Sequence, residues 1–237
     1  MSRLSRSAPP PSQFAHDVRM YCIALRDTPR ADALREELEK HDLHRDVEWV
    51  LRDRDAEDGI RGCYESHQAV AEAFVNTNGS VAVVFEDDVV FEHARGMTVV
   101  QGIQDAVNAV RGGASVCGIG GIAVAPFGPH VESSVRCRYA KWRWTHAYAM
   151  SRAAAVWIQN TPYARRHYDV VLGDVVGRTA LLCPAVAFQR GGCGTTTGAS
   201  ALYRFLSFLR DAVGARRCQK TMEALMRACG VLCIANR

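Results

Sequence analysis

Three consecutive carboxylates, Glu86-Asp87-Asp88, follow the apolar run Val81-Ala82-Val83-Val84-Phe85 and precede Val89-Val90-Phe91. A short valine-rich run reads as a buried strand, and ligands of open α/β sheets bind at the carboxyl ends of strands. Acidic side chains placed there cannot join a core unless something neutralises them. Mg²⁺ or Mn²⁺ meets that need, because a hard divalent cation takes oxygen ligands and bridges carboxylates to substrate phosphates. The chemistry implied is a metal-assisted reaction on a phosphorylated or nucleotide-linked substrate. The alternative is a solvated acidic turn with no chemical role.

The rest of the chain bounds that reading. At 237 residues, with 48% hydrophobic and 23% charged residues, it is of ordinary globular composition and long enough for a large core. A net charge of +4 does not call for nucleic acid, and none is expected as a partner, although it suits an anionic substrate or membrane surface. The nine cysteines are scattered with no CxxC pair, which argues against a zinc ribbon. An odd cysteine count without a secretory signal favours a reducing, cytoplasmic setting. No stretch approaches the ~20 apolar residues that span a bilayer.

Apolar strands alternating with helical patterns predict an α/β fold with a mainly parallel sheet in one domain. Residues 1–18 read as a disordered leader with a Pro9-Pro10-Pro11 run, 19–190 as the domain, 191–200 as a flexible Gly/Thr loop and 201–237 as a basic helical extension. Strands are expected at Met20 to Leu25, Val47 to Leu51, Val81 onwards, Ser115 to Val124, Thr145 to Met150 and Leu181 to Phe188. Helices are expected after Thr28-Pro29, over Tyr64 to Val75, over 97–110 and from Arg152 to Gln159, the last capped by Ser151. The basic tail is a cover helix or one that docks on acidic lipid or a partner.

Four patches occur in order: Leu25-Arg26-Asp27 to Arg30, Gly62-Cys63-Tyr64-Glu65-Ser66-His67, Glu86-Asp87-Asp88, and Thr145-His146-Ala147-Tyr148-Ala149-Met150-Ser151 running into Arg152-Ala153-Ala154. Their order resembles glycosyltransferase family 25, the lipopolysaccharide and collagen galactosyltransferase group, with its arginine-bearing turn, GCxxSH motif, LEDD-type strand and THAYxIS-like strand. The likeness covers roughly residues 19 to 190 and includes Pro184 to Gln189, similar to the family's late strand ending in glutamine. The segment before GCxxSH is short, and Arg61 stands where the family usually has glutamate. That departure leaves room for a catalytically degenerate nucleotide-sugar-binding protein. A metal-dependent phosphohydrolase or nucleotidyltransferase would use the same carboxylates but leaves the GCxxSH and THAY patches unexplained.

The resemblance implies the GT-A fold, a Rossmann-like nucleotide-sugar transferase architecture, and transfer of a galactose- or glucose-type sugar from a UDP-sugar, with inversion. The acceptor would be a hydroxyl of a glycan, glycolipid or hydroxylysine-type protein. A Mn²⁺ or Mg²⁺ ion held by Glu86 and Asp88 would neutralise the leaving diphosphate. Strand alternation puts those two on one face, with Asp87 opposite or bent towards the ribose. The base for the acceptor proton is Asp169, on the family match, or Asp174. Arg26 and Arg30 pair the diphosphate or decorate a solvated helix start. His67 and His146 are either hydrogen-bonded core groups or phosphate or metal contacts, and Ser66 joins them as a nucleotide contact. Ser66 and His67, adjacent on a helix, point about 100° apart and do not form a nucleophile pair. Trp142 and Trp144 stack on a sugar face or belong to a half-buried edge strand.

Overall fold

A strand whose two side-chain phases are both apolar needs cover on both of its faces, and the chain supplies it. The computed structural model describes residues 14–94, 96–124, 127–173 and 178–190. In chain order these form β1 (Val18–Leu25), α1 (Pro29–Glu39), β2 (Val47–Arg52), α2 (Gly59–Val75), β3 (Val81–Glu86), β4 (Val89–Phe91), α3 (Val99–Arg111), β5 (Ala114–Gly118), β6 (Ile122–Ala123), β7 (His130–Val131), β8 (Ser134–Tyr139), β9 (Trp142–Arg143), β10 (Ala147–Ser151), α4 (Arg152–Asn160), α5 (Tyr168–Leu172), β11 (Arg178–Leu182) and β12 (Ala187–Gln189).

The main sheet has eight strands in the order β2-β1-β3-β10-β5-β11-β8-β7. Six of these point one way, and only β8 and β10 are reversed, as the pairings require. The mainly parallel α/β sheet flanked by helices is therefore present. The alternation of β3 divides the core: Val81, Val83 and Phe85 pack with Leu34 and Leu38 of α1 and Ile103 and Val107 of α3. Ala82 and Val84 face Val70 and Phe74 of α2, Ala155 and Ile158 of α4, and Tyr168 of α5 on the other side. All five of these β3 side chains are 0–1% exposed.

Local chemistry sets the element ends. Thr28 and Pro29 open α1 as expected, with proline at the first helical turn, where its missing N–H costs nothing. The second helix begins earlier than its apolar stripe, at Gly59, because the Asp58 carboxylate accepts from the N–H groups of Ile60 and Arg61. Thr98 and Gln101 form a reciprocal capping box at the start of α3. The core also reaches closer to the N-terminus than the expected boundary at residue 19: Phe14 is buried in it, and Asp17 O accepts from Ser80 N at 2.8 Å.

Two expected strands are each broken in two. The run from Ser115 divides into β5 and β6 because the chain turns at Gly120-Gly121, where a Cβ on Gly120 would lie 2.1 Å from Ala187 O. The run from Leu181 divides into β11 and β12 around Pro184, which has no N–H to give to a ladder. The second half, β12, instead pairs antiparallel with β4 in a separate ribbon beside the acidic turn.

Candidate active site

The parallel strands β1, β2 and β3 deliver their carboxyl ends to one cleft, which α2 walls from the other side. Its volume is about 580 Å³ counted to the open mouth. Leu25, Arg30, Arg52, Arg54, Asp55, Cys63, Ser66, His67, Glu86 and Asp87 all line it.

Glu86 and Asp87 line this cleft, Asp88 follows them in the turn, and the three carboxylates diverge. Glu86 is the last residue of β3, and its Oε1 accepts from the Thr145 hydroxyl at 2.5 Å and lies 3.4 Å from His67 Nε2. Asp87 and Asp88 occupy the turn between β3 and β4, and both face Arg30, at 2.6 and 3.4 Å respectively. Asp87 also accepts from Leu25 N at 3.2 Å, and Asp88 from Gln189 Nε2 at 2.9 Å. The expected alternation, with Glu86 and Asp88 together and Asp87 apart, is thus corrected. The strand ends at Glu86, so period-two geometry does not extend to the two aspartates.

Their surroundings set the charges apart. Burial opposes ionisation of Glu86, but the hydrogen bond and charge of His67, together with Thr145, outweigh it and hold the carboxyl well below its usual range. Burial pushes Asp87 up to about 6, against the pull of Arg30. Asp88 is raised too, by burial first and then by the charge of Glu86. Its Oδ1 is buried and has no hydrogen-bond partner among the described residues. Arg30 is the sole guanidinium paired with these two aspartates among the described residues, so the turn carries more negative charge than it neutralises.

His67 is 1% exposed and held on three sides. Its Nδ1 lies 3.0 Å from the Tyr148 hydroxyl, which in turn is 3.0 Å from the Tyr168 hydroxyl. The imidazole stacks on the Tyr168 ring with centroids 3.8 Å apart and planes 3° from parallel. His67 is thus a hydrogen-bonded core histidine on one edge and a neighbour of the Glu86 carboxylate on the other. His146 is buried across the sheet from Glu86, its carbonyl accepting from Glu86 N at 2.9 Å, and its charge acts on both Glu86 and Asp88.

Other expected contacts fall elsewhere. Arg26 is half-exposed and turns away to Asp53 at 3.2 Å, clear of the acidic turn. Ser66 lines the cleft, but its hydroxyl donates to Gly62 O at 2.6 Å within α2. Asp169 lies in the first turn of α5 and accepts from Trp144 N at 3.3 Å. Asp174 lies outside the described residues, as do the expected loop 191–200 and the extension 201–237. Trp142 is buried in the β6–β9 ribbon, and Trp144 is held at φ +71°, a conformation rare for a bulky residue, just before Thr145.

The motif glycine and its arginine neighbour both act on the cleft rim. A Cβ on Gly62 would stand 2.8 Å from Asp55 Cβ, so only glycine lets the 53–58 loop pack on α2. Arg61 holds the same loop with two bonds to Asp55, at 2.6 and 3.0 Å, and one to Glu57 at 3.2 Å. These hydrogen bonds hold the Asp55 carboxyl well below its usual range. Sequence reasoning missed Arg52, Arg54 and Cys63 as cleft residues. For Cys63 the signal was its spacing of four from His67 on a helix.

Residues 27–110 match the family model described as Glycosyltransferase family 25 (LPS biosynthesis protein). That span contains Arg30, the GCxxSH segment and all three carboxylates, and the match supports a glycosyltransferase. No curated protein matches the chain. Among solved structures, A197 from STIV is 13% identical over 73% of this chain and 84% of its own, with a TM-score of 0.49. HddC from Yersinia pseudotuberculosis is 13% identical over 72% of each chain, with a TM-score of 0.38. No helix of the described residues is long and apolar enough to cross a membrane.

Proposed function

We propose that this glycosyltransferase moves a galactose- or glucose-type sugar from a UDP-sugar to a hydroxyl of a glycan, glycolipid or protein, with inversion and with a divalent cation. The observation that carries the reading is the buried, under-neutralised acidic turn at the mouth of β3, with Asp88 Oδ1 unpartnered. Carboxylate oxygens in excess of their counter-charges fit a hard cation. Although Glu86 turns to His67 and Asp88 to Arg30, the charge of Glu86 acts on Asp88, and the two would together hold Mn²⁺ or Mg²⁺, which when bound offsets charge on the departing diphosphate.

The chain's own groups take the remaining roles. Arg30 pairs with Asp87 and Asp88 through Nη2 alone, and its buried Nε has no hydrogen-bond partner among the described residues, which leaves part of the guanidinium to meet the diphosphate. Arg52 and Arg54, which line the same cleft, are proposed as further contacts for the diphosphate. Asp87, hydrogen-bonded to Leu25 N at the end of β1, is proposed to face the ribose, since ligands of open α/β sheets bind at the carboxyl ends of strands. His67 and His146 act on the carboxylates, fixing Glu86 in its ionised form. Asp169 is proposed as the base that takes the acceptor proton. Contact of the basic C-terminal segment with a membrane surface is a further part of this proposal.

Release of UDP from UDP-galactose and UDP-glucose tests the reading, measured with Mn²⁺ or EDTA and with acceptor sugars supplied. Turnover with Mn²⁺ that is lost in EDTA and in Asp88→Asn is expected. Full turnover in Asp88→Asn contradicts the cation assignment.

A further inference from the structure

We propose that Cys63, His67 and Glu86 form a thiolate–imidazole–carboxylate seat for Zn²⁺ or Co²⁺, distinct in ion preference from the all-oxygen pair of Glu86 and Asp88. Cys63 and His67 are four residues apart on α2 and so share a face. Glu86, at the end of β3, meets that face. Their Sγ, ring nitrogen and carboxylate oxygen all lie within 4.8 Å of one another.

The spacing suits a small tetrahedral ion. Metal–ligand bonds of about 2.0–2.3 Å give ligand–ligand edges of roughly 3.5 Å. His67 Nε2 and Glu86 Oε1 already stand 3.4 Å apart. Cys63 Sγ has at most about 1.3 Å to close from the 4.8 Å limit, within the reach of a χ1 adjustment.

The supports around these ligands resemble those of a built site. Metal-bound imidazoles usually bond their other nitrogen to a fixed partner. Here Nδ1 lies 3.0 Å from the Tyr148 hydroxyl, and Tyr168 stacks on the ring and fixes its plane. The Thr145 hydroxyl orients the Glu86 carboxylate. Three protein ligands with the cleft on the open side leave a fourth position for water or substrate, the pattern of reactive rather than structural zinc centres. Sulfur and imidazole donors select zinc-like ions over Mg²⁺ or Mn²⁺. On binding, the Cys63 S–H bond breaks, an S–metal bond forms and the proton leaves to solvent. Because Glu86 belongs to both sets, a bound thiophilic ion withdraws it from the cation of the transfer reaction. That consequence rests on the function proposed above, whereas the seat itself does not.

Titration of the metal-free full chain with Co²⁺ alone, followed by absorption, reads the seat without donor or acceptor. One equivalent of Co²⁺ is expected to develop a thiolate-to-metal charge-transfer band. The band should vanish in Cys63→Ser, persist in Asp88→Asn, and need at least tenfold more Co²⁺ in His67→Gln. Circular dichroism on each variant separates loss of metal from loss of fold, and Cys63→Ser, a single-atom change, decides the question if His67→Gln does not fold. No band in the wild type, or an unchanged band in Cys63→Ser, overturns the proposal. Neither result bears on UDP-sugar turnover, so the two readings fail separately.

Discussion

Replacing Asp87 with asparagine should stabilise the metal-free protein at neutral pH. Burial raises the Asp87 carboxyl from 3.8 to about 6, even with Arg30 2.6 Å away. A native state that holds its proton more tightly than the unfolded chain gains stability from that proton only while it is bound. This stability is fully present below about pH 4 and is lost as pH rises through about 6. At 1.36 kcal/mol per unit, the shift makes ionised Asp87 cost roughly 3 kcal/mol at pH 8. Asparagine resembles the protonated acid and keeps an acceptor for Leu25 N–H, so Asp87→Asn recovers up to that amount. The gain falls short of the full value because the amide cannot replace the carboxylate on Arg30. For a domain of this size the ceiling is a Tm rise of about 6–12 °C. Urea unfolding in EDTA at pH 4.5, 6 and 8 measures the difference. A gain that grows with pH and fades by pH 4.5 is expected. A variant less stable than the wild type at pH 8 would show that Arg30 fully neutralises the turn, refuting the claim of excess charge.

Tyr148→Phe deletes the hydroxyl between His67 and Tyr168, leaving buried polar atoms unpaired at a cost of about 1–3 kcal/mol; an unchanged chemical unfolding midpoint would count against the network. Gly120→Ala places a Cβ 2.1 Å from Ala187 O, and overpacking against backbone should cost about 1–3 kcal/mol or more by the same measurement. Cys117 and Cys137 have sulfurs 3.6 Å apart, but they lie on β5 and β8 with β11 between them. Two strand spacings separate their backbones by about 9.6 Å, beyond the ~7 Å a disulfide spans. Mass spectrometry after mild oxidation of the folded protein should find no bond between this pair.

The acidic strand was legible because two physical demands coincide there. A residue run apolar on both phases must be central to a sheet, and carboxylates directly after it must sit at a strand's mouth. The turn that separates Glu86 from Asp87 and Asp88 was hidden, since pattern alone does not locate a strand's last residue. Asp58 illustrates the same limit in α2: a capping carboxylate extends the helix beyond its apolar stripe, back to Gly59. The breaks at Gly120 and Pro184 were written in the sequence as glycine and proline, yet their effect depends on what packs nearby. Arg26 and Arg30 looked equivalent from the chain. Only the entry into α1 decides that Arg30 reaches the acidic turn while Arg26 pairs with Asp53. Cys63 was given no role of its own because its partner Glu86 is 23 positions away, brought to it by the sheet.

Titration calorimetry of UDP-galactose and UDP-glucose into the wild type and Asp88→Asn, with Mn²⁺ and with EDTA, tests the central claim most directly. Binding of a UDP-sugar that requires Mn²⁺ and falls at least tenfold in Asp88→Asn is the predicted result. Equal heats in all conditions, or none with any UDP-sugar, would contradict a donor site built on the acidic turn.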